Sequence, residues 1–178
     1  EAFEEDAPVV ENPNLALNKP VTVSSQEVDY TFFDYWAVDG DATTRWSPGY
    51  ADQEWLQVDL GEVKSIQEIF LNLHAEGPEY KVLISTDGTN YEEVLYVTDG
   101  SSTNHVQKTI VFDNAKQARY VKYLQLQKRA PDSDGNRWPT SISELEVYAK
   151  ARNVESDVPT SESVIIGSFN IASGEDPD

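Results

Sequence analysis

The densest chemistry in the chain lies in Ala37-Val38-Asp39-Gly40-Asp41-Ala42-Thr43-Thr44-Arg45-Trp46. Two carboxylates flank a glycine, with a threonine three residues on. Ca2+ is a hard cation that takes about six to eight oxygens from carboxylates, hydroxyls and main-chain carbonyls. A tight glycine turn can aim Asp39, Asp41, Thr44 and a few carbonyls at one point. The loop is not an EF-hand, because it lacks the twelve-residue ligand spacing and the closing Glu. Taken alone, the same residues suit an Asx turn with solvated carboxylates equally well.

Other reactive constellations are missing. His74 and His105 are the only histidines, and neither has neighbours that suggest a nucleophilic triad. A glycosidase needs two carboxylates at a defined separation, one of them protonated. No pair here stands out for that role once Asp39 and Asp41 are set aside. There is no cysteine, hence no disulfide and no thiolate metal site, and no glycine-rich phosphate loop. A non-catalytic binding role is therefore expected.

The elements that must position these residues read as strands. Leu56, Val58 and Leu60 alternate within Trp55–Leu60, and Ile69, Leu71 and Leu73 alternate in the next run. Further runs follow at 80–85, 91–97, 106–112, 119–126 and 143–148. Period-two alternation enriched in Val, Ile, Tyr and Thr marks half-buried strands. Asp87-Gly88-Thr89-Asn90 supplies a hairpin turn. No amphipathic helix longer than two turns is evident. The expected fold is all-β: an eight-stranded antiparallel β-sandwich of jelly-roll type.

Charge divides the chain. The 178 residues carry 13 basic and 32 acidic side chains, a net charge of −19. Residues 1–13 hold five acids and no base, and 151–178 hold six acids and one base; 14–150 keep 21 acids and 12 bases, net −9. The acidic, period-free ends read as linkers flanking a module at 14–150. Clustered Lys and Arg are absent, which argues against nucleic acid and against anionic membrane surfaces. No run of 18 apolar residues exists to span a bilayer. Without a methionine, the chain reads as a processed or excised piece. Val164–Ile171 is strand-like, either an edge strand or the first strand of a following domain, and Ile165–Ile171 has some likeness to the first strand of an endonuclease/exonuclease/phosphatase domain.

Six segments in order carry a family resemblance: Asn14–Ser25, Ala37–Asp41 with Thr44 and Trp46, Trp55–Gly61, Ser85–Tyr91, Ala118–Lys122 and Ser141–Tyr148. Residues 14–150 thereby resemble the coagulation factor V/VIII type C (discoidin) superfamily, in particular a family 32 carbohydrate-binding module. The resemblance implies a galactose-binding-domain-like sandwich with a structural Ca2+. Implied side-chain ligands are Asp39, Asp41, Thr44 and Glu144, with carbonyls at about Trp36, Thr44 and Ser143. It further implies a shallow sugar site on the loops near that cation. The loop candidates are Gln26–Tyr35, Ser47–Glu54, His74–Tyr80 and Lys128–Trp138, and the residues singled out are Tyr30, Phe33, Tyr50, His74, Arg129 and Trp138. Aromatic faces stack on pyranose rings, and fixed donors orient the hydroxyls.

The loop after Leu73 lacks the Arg and Asn common in galactose-binding members, which puts galactose specificity in doubt. Glu76 and Glu79, if they face the sugar, disfavour an anionic one, so a neutral glycan is expected. The expected protein is a monomeric module of a larger secreted or cell-surface protein, a glycan-active enzyme. The competing reading is a discoidin-type adhesion domain for protein or lipid, with Phe32-Phe33 as an apolar spike.

Overall fold

The computed structural model describes residues 11–27 and 31–152. The strand-like run at 164–171 lies outside them. Six strands, all paired antiparallel, form the body: β1 (Val21–Val23), β2 (Glu54–Ala75), β3 (Glu79–Ser85), β4 (Glu92–Val97), β5 (Asn104–Gln127) and β6 (Ser141–Tyr148). One short 3-10 helix, η1 (Asp34–Val38), precedes the carboxylate loop.

Eight expected strands become six because β2 and β5 each run through a point where the sequence suggests a break. Opposite one another, Asp59 pairs with Tyr120 and Lys64 with Ala118, so residues 60–63 face a single residue of β5. Shortly after, Ile66 pairs with Lys116 and Glu68 with Val111, so 112–115 face a single residue of β2. Gly61 sits in the first of these bulges at φ +93, with open space around it. Bulges of this kind bend a strand and raise its twist. Each long strand therefore serves two layers. Its partners are β1-β2-β5-β3-β4 in one layer, and β6, the second half of β2 and the first half of β5 in the other. The sandwich architecture follows from that double use.

Alternation decides the core. Leu56, Val58 and Leu60 of β2 are buried, as are Ile69, Leu71 and Leu73 beyond the bulge. They meet Val82, Ile84, Val121, Tyr123, Leu145 and Val147 in one cluster. Burying each large side chain contributes about 1.5–3 kcal/mol, which offsets the chain entropy lost on folding.

The two ends of the described chain are tied together. Asn14 Oδ1 accepts N–H groups from Ala16 and Val147, at 3.0 Å each, and Leu15 N–H donates to Val147 O at 2.7 Å. Asn12 and Lys150 exchange two hydrogen bonds. Arg152 then places its guanidinium against the fully buried Glu68, at 2.6 Å, and so balances a charge that burial alone would disfavour. The packed body thus extends through Arg152.

Candidate functional site

Gly40 follows η1 at φ +80 and lets the chain reverse there. The reversal returns Asp41 N–H to Asp39 Oδ1 at 2.9 Å, an Asx turn. Its other oxygen, Oδ2, lies 2.7 Å from Thr44 Oγ1. The same hydroxyl oxygen is 2.9 Å from Asp41 O and 3.5 Å from Trp36 O. One hydroxyl hydrogen cannot serve three acceptors, so oxygens face one another here with too few protons between them.

Glu144 adds to this imbalance from β6. It is 3% exposed, and neither carboxylate oxygen has a hydrogen-bond partner among the described residues. Burial first, then the adjacent Asp39 carboxylate and the charge of Glu146, push its carboxyl up to about 9, against a smaller opposing effect of Gly40 N–H. Across β2, Asn72 pairs with Glu144 and Leu73 with Ile142, so Ser143 is a bulge residue opposite no partner. Its backbone is thereby released from the ladder beside Glu144.

Asp41 differs from its expected part. Its carboxylate accepts Thr43 N–H at 2.8 Å and Thr43 Oγ1–H at 2.6 Å at the surface, and it is the Asp41 carbonyl that faces Thr44. Among the described residues no set of three or more His, Asp or Glu side chains converges on a point. The converging donors are two carboxylates, one hydroxyl and main-chain carbonyls, all hard oxygens.

A cleft of about 390 Å3 adjoins this loop, lined by Glu27, Phe32, Arg45, Ser47, His74, Ala75, Asn104, Arg129, Trp138, Pro139 and Ser141. Its floor joins the carboxylate loop, at Arg45, to the start of β6, at Ser141. Trp46 is fully buried and bridges to Ile142 through both backbone groups, at 2.9 and 3.0 Å. Alternation about Trp46 turns Arg45 and Ser47 to the cleft, and alternation about Ile142 does the same for Ser141.

The walls are loops pinned by buried polar groups. Gln125 is fully buried, donates to the carbonyls of Ala51 and Asp52, and accepts Thr140 N–H at 2.7 Å. It thereby brings the loop bearing Tyr50 to the loop bearing Trp138. Asp132 accepts Trp138 Nε1–H at 2.8 Å and fixes the indole. That ring, 45% exposed, leans on Tyr50 with centroids 6.2 Å apart, and Tyr50 OH donates to Glu27 at 2.6 Å.

On the opposite wall, Glu76 is buried and accepts both Ser101 N–H and Ser101 Oγ–H, as well as Tyr80 OH at 2.8 Å. Gly100 must be glycine there, since a Cβ would stand 1.9 Å from Gly77 O. The pinned loop and the start of β5 that follows it carry Ser102 and His105 at positive φ, a strained shape. It directs Ser102 O to the Nε and Nη2 of Arg129, and Asn104 Oδ1 to Nη1 at 3.0 Å. His74 meets His105 edge-on at 5.1 Å, and burial, then Arg45, His105 and Arg129, lower its pKa, which favours the neutral imidazole.

Despite its burial, Glu76 has a lowered pKa: burial raises it, and the Ser101 bonds, Tyr80 and Lys108 together outweigh that. Stability from Glu76 is full above the ordinary carboxyl pKa of 4.5 and is lost as pH falls through its lower folded value. Glu76→Gln is expected to destabilise the module by about 1–3 kcal/mol at pH 7, and by progressively less below pH 4.5. Urea melts at pH 7 and pH 3.5 check this, and an equal loss at both pH values would contradict it.

Of the residues expected at a sugar site, the cleft gathers His74, Arg129 and Trp138, with Tyr50 at its rim. Phe33 turns elsewhere: it stacks on Tyr35 at 5.4 Å and meets Trp36 edge-on at 5.1 Å. Tyr30 lies outside the described residues. Phe32 and Phe33 form no spike, since Phe32 lies beneath the Arg45 guanidinium at 4.2 Å. Glu76 and Glu79 do not line the cleft; Glu79 is engaged by Tyr96 and Gln127. Their supposed bias against anionic sugars loses its basis. Arg45, Asn104 and Ser141 escape the sequence reading, although alternation around the buried Trp46 could have flagged Arg45.

The F5/8 type C domain family model matches residues 20–145. A curated relative, the polysaccharide lyase 8 family protein HylA of Enterococcus faecalis, is 46% identical over 116 residues, which is 65% of this chain and 8% of that protein. The chain thus spans a small fraction of that relative's length. Chitosan-binding module 2 of a chitosanase/glucanase from Paenibacillus sp. IK-5, solved with chitotriose, is 31% identical, with a TM-score of 0.62 over 76% of this chain and 99% of that one. The family 32 module of NanJ from Clostridium perfringens, solved with galactose, shares the fold at 22% identity and a TM-score of 0.61, covering 77% of this chain and 98% of that one. These solved relatives are binding modules, which carry no catalysis of their own.

Proposed function

The chain belongs to the F5/8 type C domain family, and from that premise we propose that it is a non-catalytic carbohydrate-binding module that seats a pyranose in the cleft between Trp138, Arg45, His74 and Arg129. The observation that carries the reading is the pairing of an exposed, hydrogen-bonded indole with fixed donors on the facing walls. An indole face covers the C–H face of a sugar, and the donors read its hydroxyls. Both the chitosan-binding and the galactose-binding relatives support sugar as the ligand class. The neutral-glycan expectation rested on Glu76 and Glu79, and neither faces the cleft.

We further propose that Asp39, Thr44 and Glu144, with the carbonyls of Trp36, Asp41 and Ser143, hold a structural Ca2+. The orphaned oxygens of Glu144 and the proton-poor contacts of Thr44 support it. An all-oxygen set suits a hard cation rather than zinc or copper. Bound there, the ion would supply charge neutralisation only.

On this reading the module works outside the cell as part of a larger glycan-active protein, targeting it to its substrate. No helix among the described residues is long and apolar enough to cross a membrane. The function is tested by binding of the labelled module to a broad glycan array. Saturable binding to a defined glycan set is expected, and binding to anionic liposomes with no glycan bound would overturn it in favour of an adhesion role.

A further inference from the structure

The hydrogen-bonding inventory of the cleft is unbalanced. Arg129 spends Nε and one N–H of each terminal nitrogen on Ser102 O and Asn104 Oδ1. The second N–H of each remains. Asn104, with its oxygen already accepting, has its amide N–H groups left to offer. Arg45 is the extreme case. Among the described residues its guanidinium makes no hydrogen bond or ion pair; it stacks on Phe32 at 4.2 Å and feels the charge of Glu27. Stacking uses the face of a guanidinium and leaves its five edge N–H groups free. Against these donors the lining sets one carboxylate, Glu27, one of whose oxygens accepts Tyr50 OH at 2.6 Å. With His74 neutral, the charged lining groups are Arg45, Arg129 and Glu27, a local excess of one positive charge inside a strongly acidic molecule.

We infer that this cleft selects an anionic sugar, with the carboxylate of a uronate or the sulfate of a sulfated sugar received by Arg45. The inference rests on the carbohydrate-binding reading above and narrows its ligand class. A planar guanidinium matches a carboxylate or sulfate through two parallel N–H···O bonds, about twice as strong as neutral ones. A ring hydroxyl leaves part of that donor set unpaired. A free glucosamine ammonium meets two like charges here, so the ligand of the chitosan-binding relatives is disfavoured. The chain's net negative charge does not reverse the preference. About half of it lies in the terminal segments, and fields from exposed carboxylates fade over about 8 Å at physiological salt.

The test is a glycan array that pairs uronate-containing and sulfated oligosaccharides with their carboxyl-reduced or desulfated counterparts, followed by titration of the hits, with chitotriose as a further arm. Anionic members are expected to bind at least about tenfold tighter than their neutral counterparts, and chitotriose more weakly than either. Carboxylate-only or sulfate-only hits support the inference and identify the anion. Arg45→Gln is expected to erase the tenfold preference while keeping residual binding, with an unchanged melting temperature confirming the fold. Should that variant unfold, Arg45→Lys, which keeps the charge but loses the paired geometry, is expected to reduce the preference. Equal binding of neutral and anionic members, or a preference that survives Arg45→Gln in a folded protein, overturns it. Binding to no glycan at all instead defeats the carbohydrate-binding reading itself.

Discussion

Excess chelator is expected to lower the melting temperature of this module by about 10 °C, and Ca2+ to restore it. A ligand that binds only the folded state at about a thousandfold above its dissociation constant stabilises by about 4 kcal/mol, and a domain of this size shifts by about 2–4 °C per kcal/mol. The mechanism gives the result a pH signature. Without a cation, folding keeps the Glu144 carboxyl protonated up to about 9, against 4.5 ordinarily, because it is buried and lies beside Asp39. A raised acid pKa means that its stability is full below pH 4.5 and is lost as pH climbs towards 9. In chelator, stability should therefore fall across that window, by at most about 1.4 kcal/mol per pH unit. In Ca2+ the decline should vanish. Glu144→Gln should remove both the pH dependence and the response to Ca2+, and Asp39→Ala should abolish the Ca2+ response. Because Trp46 and Ile142 link this cluster to the cleft floor, chelation should also weaken glycan binding. A melt that ignores chelator at every pH would refute the cation site.

Trp138→Ala is expected to weaken glycan binding about 30-fold while leaving stability within about 0.5 kcal/mol. Buried aromatic anchors at binding sites are commonly worth about 2 kcal/mol, and that converts to roughly 30-fold in Kd. The indole is half exposed at the cleft mouth, so removing it opens no cavity in the core. Asp132→Ala should produce a smaller loss, because the indole then lacks the acceptor that fixes its plane. Calorimetric titration of the three proteins with an array-identified glycan measures both effects. Full affinity in Trp138→Ala would move the sugar away from this cleft.

How far the sequence could be read depended on the range of the interactions involved. Local patterns were readable. The alternation at Leu56, Val58 and Leu60 and the Asp87-Gly88 turn act over a few residues, and they led to the right fold class. The double use of β2 was not readable. Gly61-Glu62 carries the signature of a turn, and only the paired β5 makes residues 60–63 a bulge. The order of six motifs pointed to Asp39, Thr44 and Glu144, which the fold brings together, whereas the Asp41 side chain turns to Thr43 at the surface. The cleft was harder. Trp138 stands on a loop that attracts attention, and His74 sits near the end of β2. Arg45 reaches the cleft only because Trp46 is buried and bridged to Ile142, a contact across nearly a hundred residues of chain. Phe33 was drawn in by aromatic density that serves packing with Tyr35 and Trp36. Glu76 looked like a specificity filter in an exposed loop, whereas its hydrogen bonds to Ser101 and Tyr80 make it a buried strut.

Occupancy of the cleft beside Trp138 by sugar is central to the proposed function. Nuclear magnetic resonance titration of the 15N-labelled module with an array-identified glycan examines that directly, through the side-chain signals of the Trp138 indole, the Arg45 and Arg129 Nε–H groups and the Asn104 amide. Saturable shifts confined to these signals and to the backbone of 45–47, 74–75, 102–105 and 137–141 are predicted. Shifts centred on the outer face of the β1-β2-β5-β3-β4 layer, with the Trp138 indole unmoved, would contradict it.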